Sequence, residues 1–424
     1  MNSLLLVTHD YPLDRGDSSF IKNEIPFLSK YFDKIYVFCT SNYDNSKKII
    51  KIPNNVIVYF NNFKNTKLRK YIIYLVVLFN HAFYYELKYL IKKRRLTIKT
   101  LRSSLAFMKN AIILNKQINN ILRKINNIKI IYTFWYIFET LASLLLKKKY
   151  KISYITRAHG YDVHEFQNDL NYQPYKYWMD KNIDRIFFAS QYLCDYYLRT
   201  FANSDTKKYI TMPLGIINDY PVEINNKNRN TDIFVLCSCS FIIPRKRVNL
   251  IIKALNQINN FKIHWIHIGD GSDMNSILSL SYNLQKKNNI SFEFKGFMTS
   301  EQIMNFYNDN YIDCFISTTE SEGGCPVSMQ EAISFGIPVI ATSVGGVPEV
   351  VTKDTGFLLS PEGNISEISN AIIDFYNFPE DKKNALRRSA RKFWESNFNA
   401  EMNYTKFSEE LLSIVVKKPK KENI

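Results

Sequence analysis

Residues 317–351 read STTESEGGCPVSMQEAISFGIPVIATSVGGVPEVV, and their pattern predicts two strands with a glycine-rich loop and a helix between them. An apolar strand pattern ends at Ser317, and an acidic, glycine-rich loop leads from it into a helix that begins near Pro326. Glycines let a backbone approach a ligand closely, and the first turn of a helix offers N–H groups to phosphate. Glu331 lies about one and a half turns into that helix. A second strand ends before Gly345-Gly346, so both loops are expected at the carboxyl edge of a parallel sheet, where ligands bind.

The same alternation of strands and helices continues on both sides of this segment. Short β-branched and aliphatic runs between helical patterns are typical of an α/β fold with parallel sheets buried on both faces. The expected helices include Phe20–Tyr31, Val248–Asn256 and Pro326–Phe335. The expected strands are Ser3–Thr8, Lys34–Phe38, Val56–Phe60, Ile128–Thr133, Ser153–Thr156, Arg185–Ala189, Tyr209–Met212, Ile233–Cys239, Lys262–Ile268, Ser291–Phe294, Asp313–Ser317 and Pro338–Ala341.

A polar stretch without periodicity, Asn218–Asp232, divides the strands into two sets and is the expected linker. A chain of 424 residues also exceeds what one hydrophobic core usually serves. We therefore expect two Rossmann-like domains, residues 1–217 and residues 218–395, with parallel sheets that face each other across a cleft.

Composition excludes several classes of protein. Hydrophobic residues make up 46% of the chain and charged residues 22%, which excludes fibrous and disordered proteins. Six scattered cysteines are too few for a disulfide framework and lack the partners of a structural zinc site, so reduced thiols are expected. No basic leader precedes the apolar start, and the apolar run Tyr71–Tyr85 is shorter than a membrane-spanning helix. These features predict a cytoplasmic protein that is soluble or peripheral on the inner face of the membrane.

The net charge of +17 is concentrated in one segment. Residues 64–124 hold fifteen Lys or Arg and one acid, Glu86, and they include the run Lys92-Lys93-Arg94-Arg95. Apolar residues at helical spacing surround that run, a pattern that suits an anionic membrane surface. A solvated helical face covering a core is an equal alternative. No nucleic-acid motif accompanies the charge, so no nucleic-acid partner is expected.

The segment 317–351 resembles the donor-binding signature of family 4 glycosyltransferases, which are retaining enzymes of the GT-B fold. That signature has two glutamates separated by seven residues, followed by a small-x-Gly-x-Pro-Val turn. Glu331 and the residues 335–339 match it, whereas eight residues separate Glu322 from Glu331. The resemblance implies that Glu331 binds the donor ribose and that Glu322, or in its place Glu320, contacts the transferred sugar. The other donor-binding positions that it implies in this segment are Gly323, Gly324, Pro326 and Val327.

The resemblance extends through the second half of the chain. Residues 238–250, SCSFIIPRKRVNL, resemble the start of the family's second domain, and Lys246 occupies the place of its diphosphate-binding lysine. The family's preceding arginine is absent, and Arg245 or Arg247 is the expected substitute. Clustered cations after a strand suit a diphosphate leaving group, because they stabilise its developing charge. The implied donor site also includes Gly271 and, beside the nucleobase, Phe297.

In the first half, residues 157–162, RAHGYD, resemble the family's Arg-x-His-Gly-x-Asp variant, whose histidine lies beside the reacting sugar. His159 is therefore the histidine expected to be functional, whereas structural roles are expected for His9, His81, His164, His264 and His267. In the family the loop after the first strand approaches the donor phosphates and the acceptor, with Gly16 allowing close contact. Glu24, on the next helix, is expected to be a surface or capping residue. The acceptor-side residues implied are Tyr11, Arg15, Arg157 and Asp162.

The resemblance implies a sugar transfer with retention of configuration, in which His159, Glu322 and Lys246 are catalytic and the leaving diphosphate takes the acceptor's proton. The donor would be a nucleotide sugar, with UDP as the default, and the acceptor a lipid-linked or cell-surface polysaccharide such as lipopolysaccharide or capsule. The chain contains no Asp-x-Asp triplet, so neither a metal ion nor a cofactor is expected. The final helical stretch, residues 396–424, is expected to cross back to the first domain.

Two other functions remain open. A nucleotide-sugar epimerase of the same fold would interconvert the donor without an acceptor. A non-catalytic membrane-surface protein could keep the fold without the activity, since fold alone does not establish function. The altered glutamate spacing and the missing arginine favour this last alternative, whereas Lys246, Glu331 and His159 count against it.

Overall fold

The computed structural model describes residues 2–42, 49–62, 67–202, 206–221 and 232–416. The chain forms two compact units, the first of residues 1–213 with 401–424 and the second of residues 214–400. The expected boundaries, after residues 217 and 395, lie within five residues of these. Most of the expected linker, residues 222–231, lies outside the described residues.

Within the described residues, the first unit forms a seven-stranded parallel sheet in the order β3-β2-β1-β4-β5-β6-β7. Its strands are β1 Ser3–Thr8, β2 Lys34–Asn42, β3 Val56–Asn61, β4 Ile128–Thr133, β5 Ser153–Ala158, β6 Arg185–Phe188 and β7 Tyr209–Thr211. Its helices are α1 Ser18–Tyr31, α2 Lys67–Leu78, α3 His81–Lys92, α4 Ile98–Lys124, α5 Phe138–Leu144, α6 Lys176–Asn182 and α7 Gln191–Thr200.

The second unit forms a six-stranded parallel sheet in the order β10-β9-β8-β11-β12-β13 within the described part of the chain. Its strands are β8 Ile233–Cys239, β9 Lys262–Ile268, β10 Ile290–Phe294, β11 Cys314–Ser317, β12 Val339–Thr342 and β13 Gly356–Leu359. Its helices are α8 Val248–Leu255, α9 Met274–Gln285, α10 Ser300–Asp309, α11 Val327–Ser334, α12 Ile365–Tyr376 and α13 Glu380–Asn397. The last helix, α14 Ala400–Val416, starts at the end of this unit and belongs otherwise to the first.

The α/β fold with parallel sheets is confirmed, and each expected strand is present. The sequence pattern missed β13, which has only four residues, begins with glycine and lies at the edge of its sheet. Such a strand lacks both the length and the continuous burial that make a parallel strand visible in a sequence. The pattern also ended β2 at Phe38, whereas the strand continues to Asn42.

Both faces of the first sheet are buried. Successive side chains of a strand point to opposite faces, so the apolar residues of β1 fill two cores. Leu5 and Val7 of β1 point into the core beneath α4. Leu4 and Leu6 point into the opposite core, where Phe407 of α14 packs. The C-terminal helix therefore completes one face of the N-terminal sheet.

Each sheet contains one point at which the chain connections diverge. In the first sheet it lies between β1 and β4, and in the second between β8 and β11. Parallel sheets of this kind bind ligands outside the carboxyl ends of the strands at such a point. The loops that follow β1, β4, β8 and β11 are therefore where each unit should hold its functional groups.

The sheet of the first unit contains a buried ion pair that corrects two expectations. Arg157 on β5 and Glu24 on α1 are both buried, and the guanidinium Nη1 lies 3.3 Å from the carboxylate Oε2. The guanidinium also lies over the ring of Phe407, 4.1 Å from its centroid. Glu24 is thus a core residue rather than a surface or capping residue. Arg157 points into the core rather than towards an acceptor, because a charge on a strand buried on both faces needs an internal partner.

We predict that Arg157→Ala will lower the free energy of unfolding by about 3–5 kcal/mol, because it leaves the Glu24 carboxylate buried and unpaired. Urea unfolding of the purified chain measures this loss. Arg199→Ala, which removes the same side chain from an exposed position on α7, serves as the control and should change stability by less than about 0.5 kcal/mol. Equal stabilities of the two variants would contradict the prediction.

Candidate functional site

The loop between β11 and α11 is held against the turn that follows β8. The backbone N–H of Glu320 donates to the carbonyl of Arg245 at 2.8 Å, and the Thr318 hydroxyl donates to the carbonyl of Arg247 at 2.9 Å. Since β8 and β11 are neighbours in the sheet, these bonds join the two loops on either side of the point where the connections diverge.

Two predicted catalytic residues, Lys246 and Glu322, meet in this place. The Lys246 ammonium forms an ion pair with Glu322 Oε1, and both side chains are largely shielded from solvent. The alternative glutamate, Glu320, has an exposed side chain. Among the two, Glu322 is therefore the one beside the lysine, despite the altered spacing from Glu331.

The two arginines next to Lys246 hold the surrounding loops together by donating hydrogen bonds to their backbone carbonyls. Arg247 donates hydrogen bonds to four backbone carbonyls, and Arg245 donates from Nη1 to the carbonyl of Ser321 at 2.7 Å. This use of Arg247 corrects its expected role as a diphosphate ligand, because its guanidinium is already engaged on both edges. The four carbonyls that it contacts, at 2.8–2.9 Å, are those of Thr318, Thr319, Pro361 and Glu362.

Glu331 lies on α11 with only 4% of its surface exposed. The hydroxyl of Ser300, at the start of α10, donates to its Oε1 at 2.9 Å. The helix begins at Val327, Pro326 precedes it as the cap residue, and Gly323 and Gly324 lead into it. The sequence signature therefore lies on one continuous loop-to-helix element, with its second glutamate oriented by a serine that the signature does not contain.

The predicted positions Gly271 and Phe297 lie after β9 and β10. A Cβ at Gly271 would fall 2.3 Å from the carbonyl oxygen of Ile242, so the chain passes directly against the loop after β8. The backbone N–H of Gly269 donates to the carbonyl of Gly296 at 2.8 Å, which joins the two turns. Phe297 beyond them is 68% exposed. A large ring held out from a fixed turn offers a flat apolar face for stacking.

In the first unit, the loop after β1 is organised by the carboxylate of Asp17. It accepts hydrogen bonds from the backbone N–H groups of His9, Asp10 and Tyr11 at 2.8–2.9 Å and from the indole of Trp135 at 3.2 Å. Burial raises the pKa of Asp17, although these hydrogen bonds oppose the shift. Asp17 and Trp135 were not expected as site residues, because nothing in the sequence pairs a loop after β1 with a loop after β4.

Besides Arg157, two more of the predicted acceptor-side residues in this unit are buried. The Tyr11 ring belongs to the core and is fully buried. The Asp162 carboxylate is also buried and accepts from the backbone N–H groups of His159, Gly160 and Tyr136 at 2.9–3.0 Å. Both side chains shape loops and do not face an acceptor, which corrects their expected roles.

Arg15 and Gly16 lie where the loop after β1 turns back. Arg15 remains half-exposed, and its Nε lies 2.7 Å from Asp10 Oδ1. Gly16 has a φ of +55°, and a Cβ there would fall 2.3 Å from Asp10 Oδ2. The glycine is thus required by the tight contact with Asp10.

His159 follows β5 and is packed between the rings of Phe134 and Trp135, with centroids 4.5 and 4.7 Å away. Its Nε2 lies 3.0 Å from the carbonyl oxygen of Phe134. A carbonyl only accepts, so Nε2 carries the proton and Nδ1 is the acceptor of the ring. Burial lowers the pKa of His159 to about 4. The imidazole is therefore neutral near pH 7, where it can accept a hydrogen bond and is not a general acid.

Comparison with known proteins matches the second unit to a family. Residues 219–393 match the family described as Glycosyl transferases group 1. The second unit is a glycosyl transferases group 1 domain. An uncharacterised glycosyltransferase of Methanocaldococcus jannaschii, MJ1178, is 28% identical over 259 residues, which are 59% of this chain and 67% of the relative. The putative colanic acid biosynthesis glycosyltransferase WcaL of Escherichia coli K12 is 25% identical over 174 residues, 39% of this chain and 42% of WcaL.

The fold of the whole chain has close neighbours among solved structures. HepE of Anabaena, in complex with UDP and glucose, matches 97% of this chain and 99% of its own with a TM-score of 0.65 and 16% identity. At 16% identity this likeness shows the fold alone. The predicted GT-B fold is confirmed. The group 1 domain and the glycosyltransferase relatives support a transferase.

The group 1 domain depends on a close contact between its two glycine-bearing loops. Gly345 has a φ of +56°, and a Cβ there would fall 1.7 Å from the carbonyl oxygen of Glu322. A Cβ at Gly346 would fall 2.5 Å from the carbonyl oxygen of Gly324. The backbone of the loop that contains Glu322 and Gly324 therefore packs directly against Gly345 and Gly346, where a side chain would not fit.

We predict that Gly345→Ala will destabilise the chain by at least about 2 kcal/mol more than Gly296→Ala. Both glycines have positive φ, but a Cβ at Gly296 meets nothing within 4 Å among the described residues. The control therefore carries only the backbone strain, about 1–2 kcal/mol, whereas Gly345→Ala also displaces Glu322. Urea unfolding of the two variants measures the difference, and equal losses would show that the contact is not tight.

Proposed function

We propose that the protein is a retaining, family 4 glycosyltransferase that moves a sugar from a nucleotide-sugar donor to a lipid-linked or cell-surface polysaccharide acceptor, without a metal ion or a cofactor. The observation that carries the proposal is the ion pair of Lys246 with Glu322 in the loops after β8 and β11. Glu331 lies on α11, the helix into which the loop that carries Glu322 leads.

Each of these groups has a role that its chemistry suits. The Lys246 ammonium would neutralise charge on the departing diphosphate, which is where a cation lowers the barrier most. Glu322 would accept hydrogen bonds from the transferred sugar and Glu331 from the ribose. The exposed ring of Phe297 would stack on the nucleobase. His159, as a neutral hydrogen-bond acceptor, would bind a hydroxyl of the transferred sugar through Nδ1.

The choice of donor and acceptor draws on the relatives. HepE was solved with UDP and glucose, which supports UDP as the first nucleotide to test. WcaL is named for colanic acid, a polysaccharide, which supports a glycan acceptor. The chain spans less than half of WcaL, so both assignments are proposals for this protein.

We predict that one nucleoside diphosphate, or its sugar, will raise the melting temperature of the chain in a metal-free thermal-shift screen that includes UDP, GDP, ADP and their sugars. A ligand at a hundred times its Kd adds about 2.7 kcal/mol of stability. Glu331→Ala should abolish the shift, whereas Glu301→Ala, which removes an exposed glutamate from α10, should retain it. If no nucleotide shifts the wild type, the transferase proposal fails in favour of a non-catalytic protein.

We further propose that α3 lies on an anionic membrane surface and brings the protein to a lipid-linked acceptor. Its exposed residues, at positions 81, 84, 88, 91 and 92, recur at the helical period and form one stripe that mixes aromatic, aliphatic and basic side chains. Phe79 before the helix is 85% exposed, and Ile98 after it is 71% exposed. Residues 64–66 of the basic segment lie outside the described residues. In the described chain, no helix combines the length and the apolar character needed to cross a bilayer.

We predict that the chain will co-sediment with vesicles of phosphatidylglycerol and phosphatidylcholine at low salt, and that Lys92→Glu/Lys93→Glu will weaken binding at least tenfold, since each cation near the surface contributes about 1 kcal/mol. Arg388→Glu/Lys392→Glu on α13 makes the same change in net charge at another exposed place and serves as the control. Binding should weaken as salt rises. The proposal would be contradicted if the wild type did not bind the vesicles, or if the two double variants bound them equally well.

A further inference from the structure

The segment that joins β10 to α10 in the second unit is fixed at both of its ends. It begins at Gly296, whose carbonyl accepts a hydrogen bond from the backbone N–H of Gly269 at 2.8 Å. At the other end Thr299 caps α10. Its N–H donates to Gln302 Oε1 at 2.9 Å, and the Gln302 N–H donates to the Thr299 hydroxyl at 3.3 Å. A reciprocal cap of this kind fixes the start of a helix, so Ser300, the first residue of α10, is held in a defined place.

The side chain of Ser300 bonds outside its own helix. A serine hydroxyl near the start of a helix can bond to the backbone of that helix. The Ser300 hydroxyl instead donates to Oε1 of Glu331 on α11 at 2.9 Å. Thr299 already caps α10, so the bond to Glu331 is not needed to start the helix. It joins two helices, and the sequence pattern did not single out Ser300.

The backbone of α11 is anchored by other contacts. Near its start, Gln330 Nε2 donates to the carbonyl of Cys325 at 3.0 Å. At its end, the carbonyl and the hydroxyl of Ser334 accept from Asn218 Nδ2 at 3.0 and 2.8 Å. Loss of the serine hydroxyl on α10 would therefore release the Glu331 carboxylate and leave the helix that carries it in place.

The carboxylate of Glu331 benefits from such a partner. Only 4% of the residue is exposed, and a buried carboxylate is costly unless hydrogen bonds satisfy its oxygens. A glutamate side chain also loses rotamer freedom when it is ordered, so fixing it before a ligand arrives reduces the entropy lost on binding. Each carboxylate oxygen can accept more than one hydrogen bond. The bond from Ser300 is thus compatible with bonds from the hydroxyls of a ribose.

We propose that Ser300 is a positioning residue for Glu331, and that it thereby makes the site prefer a ribose with both hydroxyls to a sugar that lacks them. The inference rests on the proposed function, in which Glu331 binds the ribose of the donor. With the carboxylate fixed, the ribose hydroxyls meet an acceptor that is already in place. Phe297 lies three positions before Ser300. One short segment therefore carries both the ring expected to stack on the base and the hydroxyl that orients the ribose-binding acid.

The test measures the nucleotide affinity of the full-length chain by isothermal titration calorimetry. The probes are UDP, GDP or ADP, whichever raises the melting temperature of the wild type, and the 2′,3′-dideoxy form of the same nucleotide. The wild type should bind the ribonucleotide at least about tenfold more tightly than the dideoxy form, which leaves the bonds to Glu331 unmade. Ser300→Ala should weaken binding of the ribonucleotide about tenfold, roughly the contribution of one hydrogen bond to a charged group, and binding of the dideoxy form less than about twofold.

Two further variants control the measurement. Ser300→Thr keeps a hydroxyl at the same position and should retain most of the affinity for the ribonucleotide. Ser366→Ala removes an exposed serine from the first turn of α12 in the same unit, and it should bind both probes as the wild type does. Melting temperatures without nucleotide show whether each variant is folded.

The inference would be overturned if Ser300→Ala bound the ribonucleotide as tightly as the wild type. An equal loss of affinity for both probes would also overturn it, since a general disturbance of the fold does not depend on the ribose hydroxyls. So would a wild type that does not distinguish the two probes. The proposed function fails separately, and this inference with it, if the wild type binds no nucleotide.

Discussion

The loops at the carboxyl edge of the second sheet depend on the guanidinium of Arg247. It donates to the carbonyls of Thr318 and Thr319 after β11 and to those of Pro361 and Glu362 after β13. Hydrogen bonds from a charged donor contribute about 1.5–3 kcal/mol each. Since Lys246 immediately precedes this arginine and Glu322 follows Thr319 by three positions, the same cation fixes both partners of the Lys246–Glu322 pair.

In the first unit, the carboxylates of Asp17 and Asp162 hold the loops in place by accepting hydrogen bonds from the backbone. Loops at the ends of parallel strands expose backbone N–H groups that need acceptors. The Asp17 carboxylate accepts hydrogen bonds from three N–H groups after β1, and the Asp162 carboxylate accepts from two after β5 and one after β4. These carboxylates are occupied by the backbone, whereas the side chains of His9 and Arg15 stay half-exposed and that of His159 is partly exposed. The polar residues of a loop motif are therefore of two kinds. Some hold the loop backbone in its conformation, and others are left accessible to a ligand.

Burial distinguishes the two kinds, and the sequence motif does not. Arg157 and His159 are two positions apart in one motif, yet Arg157 ends in the core against Glu24, while His159 lies at the end of the strand with its ring held by Phe134 and Trp135. In the second unit Lys246 and Arg247 are both partly buried, and their partners distinguish them: Arg247 is engaged by four backbone carbonyls, whereas Lys246 pairs with the Glu322 carboxylate. The pKa values follow: burial with a poor set of partners keeps His159 neutral, whereas a buried acid behind His9 favours its charged form.

Strand and helix periods and glycine positions are local properties of the sequence, and they predicted the α/β class, every strand except β13, and the loop-to-helix element of residues 317–351. It also placed Lys246, Glu322 and His159 in loops after strands, and Glu331 on the helix that follows one of these loops. Three other features depend on the packing of the chain: Glu322 and not Glu320 meets Lys246, Arg157 and Asp162 turn inward, and Glu139 lies behind His9. Apart from the local hydrogen bonds that Asp162 accepts from His159 and Gly160, these contacts join segments far apart in the chain. They are set by which strands are neighbours in the sheet and which side chains the packing leaves exposed, and no local pattern encodes either.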